Sequence, residues 1–312
     1  MAERIAIRDA FGEALRELGA ANKRVVALDA DVGGSTKSVL FGKEFPERYF
    51  NVGISELNMV NMAAGLALEG FVPYVNTFAV FLASRALDPV QSLIAYDQLN
   101  VRLCGTYCGL SDSYDGASHQ AITDIAAMRA IPHMTVLCAS DAVQTRALVH
   151  QMADWEGPAY LRLSRAPAPV VYHSGTAFEI GKGVMLREGG DLAILATGTV
   201  LHQALAAAEL LANQGVQAAV ADLYSVEPID RELVIACAKK TGRILTVEEH
   251  SARGGLGSAV AEVLAESWPV PVSILGAEDF AESGDLDALL EKYGYKAESI
   301  ALRAQALLRK GR

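Results

Sequence analysis

The chain has 312 residues, of which 51% are hydrophobic, and a formal net charge of −10 at pH 7. This length suffices for two domains, while the acidic balance argues against nucleic acid or an anionic membrane as the main partner. No uncharged run reaches the ~20 residues of a membrane span, and residues 1–4 lack a signal peptide's apolar core. We therefore expect a cytoplasmic protein, in which a few local arginines still permit a small anionic substrate.

Short apolar runs alternate with helical patterns along the first half of the chain. They predict strands at 25–28, 49–52, 72–75, 101–104, 134–138 and 159–163. Pro89 should kink or delimit the helical stretch 81–99. This alternation is typical of a mainly parallel sheet covered by helices on both faces.

The composition changes after Ser164, where alanines and prolines precede a glycine-containing stretch, and we place a linker at 171–190. A second alternating unit follows, with strands predicted at 192–196, 216–223, 243–247 and 272–275. The sequence thus predicts an α/β protein of two domains, 1–170 and 191–312, each with a largely parallel sheet sandwiched by helices.

Two groups of residues could indicate a metal site and a phosphate-binding loop, but structural roles explain both groups better. The four cysteines lack a second Cys/His pair at zinc-finger spacing, so we expect neither a metal site nor a disulfide. Residues 254–257 (Gly-Gly-Leu-Gly) lack the spacing of a dinucleotide fingerprint and follow Glu248 and Glu249, which would repel a pyrophosphate. A tight turn explains this segment.

A carboxylate, Glu56, opens a helix that has almost no polar face. Such a helix should be buried, and its small residues should let another helix approach closely. These small residues are Ala63, Ala64, Gly65 and Ala67. We therefore expect Glu56 at an interface without water and close to a bound ligand. A single buried acid there needs a partner.

Three further clusters follow predicted strands, at the edge where open parallel sheets bind ligands. Phe78 and Phe81 lie on one side of a helical start, although core packing alone would explain this pair better. Asp115 and His119 either bring an acid and a titratable base within reach of one ligand or form a capped turn. Arg165, just past a strand end, either clamps an anion or covers the surface.

Together these segments resemble the transketolase family over essentially the whole chain. The motifs that carry the resemblance are, in family order, Gly-Ile-x-Glu at 53–56, Phe-x-x-Phe at 78–81, Asp-Gly-x-x-His-Gln at 115–120 and Ser-Arg at 164–165. The resemblance implies a pyrimidine-binding domain for thiamine diphosphate at 1–170 and a transketolase C-terminal domain at 191–312. The implied reaction transfers a two-carbon ketol unit from a ketose to an aldose.

The resemblance also implies roles for individual residues at the cofactor. Glu56 would hydrogen-bond the pyrimidine ring nitrogen and drive the tautomerisation that activates the cofactor, which makes it a catalytic residue. Phe78 and Phe81 would pack against the pyrimidine, because a flat ring needs flat apolar walls. Asp31 matches a position near the cofactor. The third aromatic that is usual in this pocket is Ser84 here.

At the substrate end, His119 and Asp115 match residues that orient the substrate's oxygens and assist proton transfer. Arg165 and Ser35 match residues that grip a sugar phosphate. Tyr107 occupies the position of a phosphate-binding histidine. An uncharged phenol in place of a basic ring weakens the case for an ordinary sugar phosphate and leaves another anionic group, such as a sulfonate, open.

Family members hold the diphosphate and Mg²⁺ with a Gly-Asp-Gly motif in a different domain, and no Gly-Asp-Gly occurs here. We therefore expect one subunit of a split transketolase, without metal ligands of its own. A second polypeptide would supply the diphosphate-binding domain and hold most of the Mg²⁺ coordination. The expected assembly is two-plus-two, with two active sites at interfaces between subunits.

Three alternatives remain open. A deoxyxylulose-phosphate synthase shares Asp-Gly-x-x-His-Gln but usually has an arginine where Phe81 stands. The beta subunit of a 2-oxoacid dehydrogenase has the same two-domain layout but does not usually have this motif. A non-catalytic relative belongs to a different functional class, and the joint presence of Glu56, both phenylalanines and His119 speaks against it.

Overall fold

A computed structural model describes residues 3–309. The strands are β1 (Arg4–Ala6), β2 (Val25–Asp29), β3 (Tyr49–Asn51), β4 (Val72–Phe78), β5 (Arg102–Thr106), β6 (Thr135–Cys138), β7 (Ala159–Leu163), β8 (Pro167–Pro169), β9 (Val184–Arg187), β10 (Leu192–Ala196), β11 (Ala218–Asp222), β12 (Ser225–Glu227), β13 (Ile244–Ser251) and β14 (Val272–Ala277). The α-helices are α1 (Ile7–Ala21), α2 (Gly33–Thr36), α3 (Val39–Glu44), α4 (Glu56–Leu68), α5 (Ala79–Ser84), α6 (Leu87–Pro89), α7 (Asp124–Arg129), α8 (Ala142–Asp154), α9 (Leu201–Ala212), α10 (Arg231–Thr241), α11 (Leu256–Ser267), α12 (Leu286–Lys292) and α13 (Ala297–Arg309).

A seven-stranded sheet has the order β12-β6-β7-β5-β4-β2-β3, and all its strands except β12 come from the first half of the chain. Every neighbouring pair is parallel except β12 with β6. Along β2, Val25 and Ala27 pack into one apolar core, while Val26 and Leu28 pack into another on the opposite face. Strands buried on both faces read as continuous apolar runs, which is why the sequence reveals them.

The second half builds a five-stranded sheet in the order β14-β13-β10-β11-β9, with β9 as an antiparallel edge. The predicted α/β fold with two largely parallel sheets is confirmed. β9 lies inside the segment expected to be a linker. Its four residues are only half-buried, so that no apolar run marks them in the sequence.

All predicted strands are present, but β4 extends to Phe78 and β13 to Ser251. The strands that the sequence analysis missed have three or four residues each, and they are β1, β8, β9 and β12. The predicted break around Pro89 is confirmed. The stretch is divided into α5, α6 and a π-helix at Val90–Ala95.

Helix α4 is buried along one side only. Met59, Val60 and Ala63 are fully buried against the sheet, whereas Leu68 is 71% exposed. The expectation of a wholly buried helix is therefore wrong for the single chain, because this helix covers one sheet face and has no second layer above it. A Cβ at Gly65 would meet no atom within 4 Å, so the outer side of α4 is open.

The four cysteines are buried and free. Within residues 3–309, no helix combines the length and the apolar character that crossing a membrane requires.

Candidate active site

The predicted site residues lie along one edge of the first sheet, where its parallel strands end. Phe78 is the last residue of β4, and Tyr107 follows directly after β5. Asp31 and Arg165 each stand two residues beyond the ends of β2 and β7. Because these four strands are parallel, their carboxyl ends lie at the same end of the sheet and bring these side chains together there.

Glu56 begins α4, and only 6% of its side chain is exposed. Its Oε1 lies 3.3 Å from Nη1 of Arg85, whose side chain is 53% exposed. The sequence analysis named no cation as a partner of Glu56, and the structure supplies one from a residue 29 positions away. The pair uses Oε1 alone, and Oε2 makes no hydrogen bond to the residues that the structure describes.

Three rings, Phe81, Phe78 and Tyr107, form a continuous row that we call the aromatic row. The ring centroids of Phe78 and Phe81 are 5.7 Å apart, those of Phe78 and Tyr107 are 4.2 Å apart, and both pairs are stacked. The guanidinium carbon of Arg85 lies 4.0 Å from the Phe81 ring centroid and so connects the row to Glu56. The two predicted phenylalanines thus stand together beside the predicted acid.

The opposite end of the aromatic row is cationic. The guanidinium carbons of Arg8 and Arg165 lie 5.5 and 5.1 Å from the Tyr107 ring centroid. Arg8 donates from Nη1 to the Tyr107 hydroxyl and, at 3.3 Å, to the backbone carbonyl of Ser35. Tyr107 itself has φ of 61°, a left-handed conformation that a bulky residue rarely adopts without structural or functional reason. Two predicted substrate residues, Ser35 and Tyr107, thus contact Arg8, and a third, Arg165, lies over the ring of Tyr107.

His119 lies beside the aromatic row on the loop after β5. Its ring meets Phe81 edge to face with the centroids 5.3 Å apart, and its Nδ1 lies 2.9 Å from the Ser118 hydroxyl. The same loop contacts the second domain, since Gln120 donates to the carbonyl of Glu282 at 3.1 Å. Both domains thus hold the loop that carries this imidazole.

Asp115 is exposed on this loop and interacts with a buried carboxyl, that of Asp112. Asp112 is fully buried and accepts a hydrogen bond of 3.0 Å from Nη1 of Arg165. Burial and the neighbouring Asp115 raise the pKa of Asp112 to about 6, although Arg165 opposes the rise. The carboxyl is therefore ionised above neutral pH and orients Arg165.

Asp31 stands in the turn after β2, which hydrogen bonds connect to the segment just before Glu56. It adopts φ of 65°, and its Oδ1 accepts a hydrogen bond of 3.0 Å from the Asn51 side chain. Asn51 in turn accepts one from the amide of Gly53 at 3.0 Å. Beneath this turn lies the fully buried Asp29, whose pKa is raised by burial although hydrogen bonds from the loop oppose the rise.

The glycine-containing segment before α11 is a tight turn, as predicted. The amides of Leu256 and Gly257 donate to the two carboxylate oxygens of Glu248, at 2.6 and 2.7 Å. Burial raises the pKa of Glu248 to about 7, while these amides oppose the rise. A side chain of the protein thus occupies the place where a phosphate would bind.

Sequence reasoning missed Arg8, Arg85 and Asp112. Arg85 stands four residues after Phe81, a helical spacing that could have suggested its stacking on that ring. No local pattern marks Arg8 or Asp112, because their partners are distant in the chain. Among residues 3–309, no group of three or more His, Cys, Asp or Glu side chains is placed to hold a metal ion.

Comparison with known proteins identifies the class. Residues 3–170 match the family model of the transketolase pyrimidine-binding domain, and residues 181–300 match that of the transketolase C-terminal domain. The chain therefore belongs to the transketolase family. It spans 50% of the length of human transketolase, to which it is 38% identical.

Other relatives match the chain along nearly their whole length. It is 42% identical to a putative transketolase C-terminal section of Methanocaldococcus jannaschii, over 97% of this chain and 96% of that protein. It is also 42% identical to a 6-deoxy-6-sulfo-D-fructose transketolase subunit of a Clostridium species, over 96% and 93% of the two chains. A solved split-gene transketolase, described as an inactive beta4 tetramer, is 47% identical with a TM-score of 0.93, over 99% of this chain and 100% of that chain.

These matches confirm the prediction of a thiamine-dependent transketolase subunit that corresponds to the C-terminal section of a split enzyme. They do not favour the synthase, dehydrogenase or non-catalytic alternatives.

Proposed function

We propose that the chain binds the pyrimidine half of thiamine diphosphate and that a separate subunit holds the diphosphate and Mg²⁺. The observation that carries the proposal is the aromatic row, which is joined to a buried carboxylate at one end and to two arginines at the other. The lack of a Gly-Asp-Gly motif supports a divided site. So does the relative described as an inactive tetramer of beta chains alone.

The side chains fit the pyrimidine half of the cofactor. Phe78 and Phe81 offer flat apolar surfaces suited to a heteroaromatic ring, and stacking contributes roughly 0.5–1.5 kcal/mol beyond burial. Glu56 offers one carboxyl oxygen, Oε2, that is free to share a proton with a ring nitrogen. Asp31 borders the same edge and is proposed to contact the cofactor.

When bound, thiamine diphosphate serves as an electron sink for the two-carbon unit. The chain's own contribution begins at Glu56, which holds a proton between its Oε2 and the pyrimidine nitrogen and so favours the activated tautomer. Arg85 keeps the other oxygen fixed, which orients the carboxylate. The burial of the Glu56 side chain would strengthen this hydrogen bond.

At the substrate end, we assign His119 and Asp115 to the hydroxyl and carbonyl oxygens of the sugar. His119 can donate or accept a proton there, since an imidazole does both near neutral pH. Arg8, Arg165, Ser35 and Tyr107 receive the anionic end of the sugar, and guanidinium groups suit oxyanions because they donate two parallel hydrogen bonds. The relative named for a sulfonated fructose supports an anionic sugar as substrate.

The assembly is proposed to be a hetero-oligomer of two copies of this chain with two diphosphate-binding subunits. The open side of α4, where Leu57, Leu68 and Ile54 are exposed, is consistent with further association.

Reconstitution tests this function. The purified chain with thiamine diphosphate and Mg²⁺ should transfer no ketol unit from L-erythrulose to D-ribose, because it cannot hold the diphosphate. Addition of the Gly-Asp-Gly subunit from the same source should give turnover. Turnover by the chain alone at the rate of the mixture would contradict the divided site, and an inactive mixture with loaded cofactor would contradict the reaction.

A further inference from the structure

The cationic end of the site carries less positive charge than its two arginines suggest. Arg165 directs Nη1 to the fully buried carboxylate of Asp112 at 3.0 Å. With its pKa at about 6, Asp112 is ionised at pH 8 and cancels one guanidinium charge. Arg8 then supplies the surplus of one positive charge, since solvent screens the exposed carboxylate of Asp115 next to Asp112.

Tyr107 adds a hydrogen bond at this place without adding charge. Its side chain is 4% exposed, is stacked on Phe78 at 4.2 Å, and lies between the guanidinium groups of Arg8 and Arg165. Because its hydroxyl oxygen accepts a hydrogen bond from Arg8, the hydroxyl proton remains available to a ligand. Arg8 and Arg165 are each left with unused N–H groups, since their hydrogen bonds to the described residues use only Nη1 of their side chains.

We propose that this cluster of Arg8, Arg165, Tyr107 and Asp112 selects a sugar whose distal group carries a single negative charge and three oxygens, namely a sulfonate, over a phosphate dianion. The inference rests on the proposed transketolase function of the same site. The three donors, two guanidinium groups and one phenol, match the three terminal oxygens that a sulfonate and a phosphate share, so that charge distinguishes the two groups. Tyr107 and Asp112 are the residues that set the preference.

The physical reason is charge balance at a partly buried site. A phosphate monoester has its second pKa near 6, so at pH 8 it carries about two negative charges, one of which this cluster leaves uncompensated. Close to protein, where the dielectric is below that of water, an uncompensated charge is costly. A sulfonate carries one charge at any pH of interest and balances the cluster.

The test uses the reconstituted complex at pH 8 with D-ribose as an uncharged acceptor. Three donors are compared: D-fructose 6-phosphate, 6-deoxy-6-sulfo-D-fructose and the uncharged L-erythrulose. We expect kcat/KM for the sulfonated ketose to exceed that for the phosphorylated ketose by at least about tenfold, because differential binding sets such ratios. L-Erythrulose reports ketol transfer independently of the anionic group.

Two variants change the charge of the cluster in the same direction. Tyr107→Lys introduces an ammonium group that is charged at pH 8, and Asp112→Asn releases the second guanidinium charge from its partner. Each should raise the phosphate-to-sulfonate ratio of kcat/KM by about fivefold or more, through KM, since both add positive charge at the anionic end. Glu232→Gln, which removes a carboxylate from an exposed ion pair with Lys182, is the control and should leave the ratio unchanged.

The outcomes separate this inference from the proposed function. Turnover of L-erythrulose with equal or better use of the phosphate overturns the inference alone, as does an unchanged ratio in Tyr107→Lys. No turnover of any ketose by the loaded complex overturns the proposed function and the inference with it. Because the wild-type preference and Tyr107→Lys are independent readouts, misfolding of Asp112→Asn does not protect the inference.

Discussion

Asp222 shows how a single buried carboxyl joins the two domains. It ends β11 in the second sheet, is fully buried, and accepts hydrogen bonds from Tyr172 at 2.7 Å and Gln144 at 2.9 Å. Ser140 of the first domain adds another at 3.1 Å. Burial raises the pKa of Asp222 from its ordinary value of 3.8 to about 7, although these hydrogen bonds oppose the rise.

The direction of that shift gives a pH prediction. Between pH 3.8 and about 7 the folded chain binds a proton at Asp222 that the unfolded chain has lost. The stability that Asp222 contributes is therefore lost as pH rises through this window. The free energy of unfolding of the wild type, measured in urea relative to Asp222→Asn, should fall between pH 5 and pH 8. An unchanged difference over that range would show that the pKa of Asp222 is not raised, and the exposed Asp97→Asn is the control.

At the scale of single residues, sequence reasoning found the groups that belong to contiguous motifs. Phe78 and Phe81 are three residues apart, and their stacking follows from local geometry. Sequence reasoning missed Arg85 and Arg8, because each contacts a partner on another element. Ion pairs and hydrogen bonds across a fold depend on tertiary packing, which a single sequence does not display.

At the scale of elements, two glycines in the first domain have opposite surroundings. Gly105 in β5 faces Tyr160, and an added Cβ would lie 2.5 Å from its hydroxyl oxygen. Tyr160 is fully buried and its hydroxyl donates to Asp124 at 2.7 Å, so it cannot move away easily. Gly65 in α4 has open space around the same position.

This difference predicts opposite effects of one added methyl group. Gly105→Ala should lower the free energy of unfolding by about 1–3 kcal/mol, through overpacking of a dense core. Gly65→Ala should raise it by about 0.5–1 kcal/mol in the isolated chain, because alanine favours a helix interior over glycine. Denaturant unfolding of both variants and of the wild type measures these changes in the free energy of unfolding. Equal changes in the two variants would contradict the packing of β5 against Tyr160.

The same scale explains which elements the sequence predicted. Interior strands such as β2 and β10 are buried on both faces and appear as apolar runs. The edge strand β9 is half-buried, and β8 contains two prolines, so neither carries a strand signature. The sequence therefore predicts less secondary structure around the linker than the chain contains.

At the scale of the whole molecule, the proposed function makes the site of this chain incomplete. Its Glu56 side chain is buried while the partner Arg85 and the outer side of α4 face solvent. The fold is visible in the sequence because alternating strands and helices repeat in both halves. The incompleteness was predicted from a missing motif, and no pattern within this chain describes the surface that completes it.

The central claim is that Glu56 activates the cofactor in the assembled enzyme. The most direct measurement is the rate at which the thiazolium C2 proton of bound thiamine diphosphate exchanges for deuterium, in the wild-type complex and in Glu56→Gln. The variant should still fold and bind the cofactor, but exchange should slow by at least about 100-fold, since a positioned acid or base contributes that much to proton transfer. Exchange at the wild-type rate in a fully loaded Glu56→Gln complex would contradict the account.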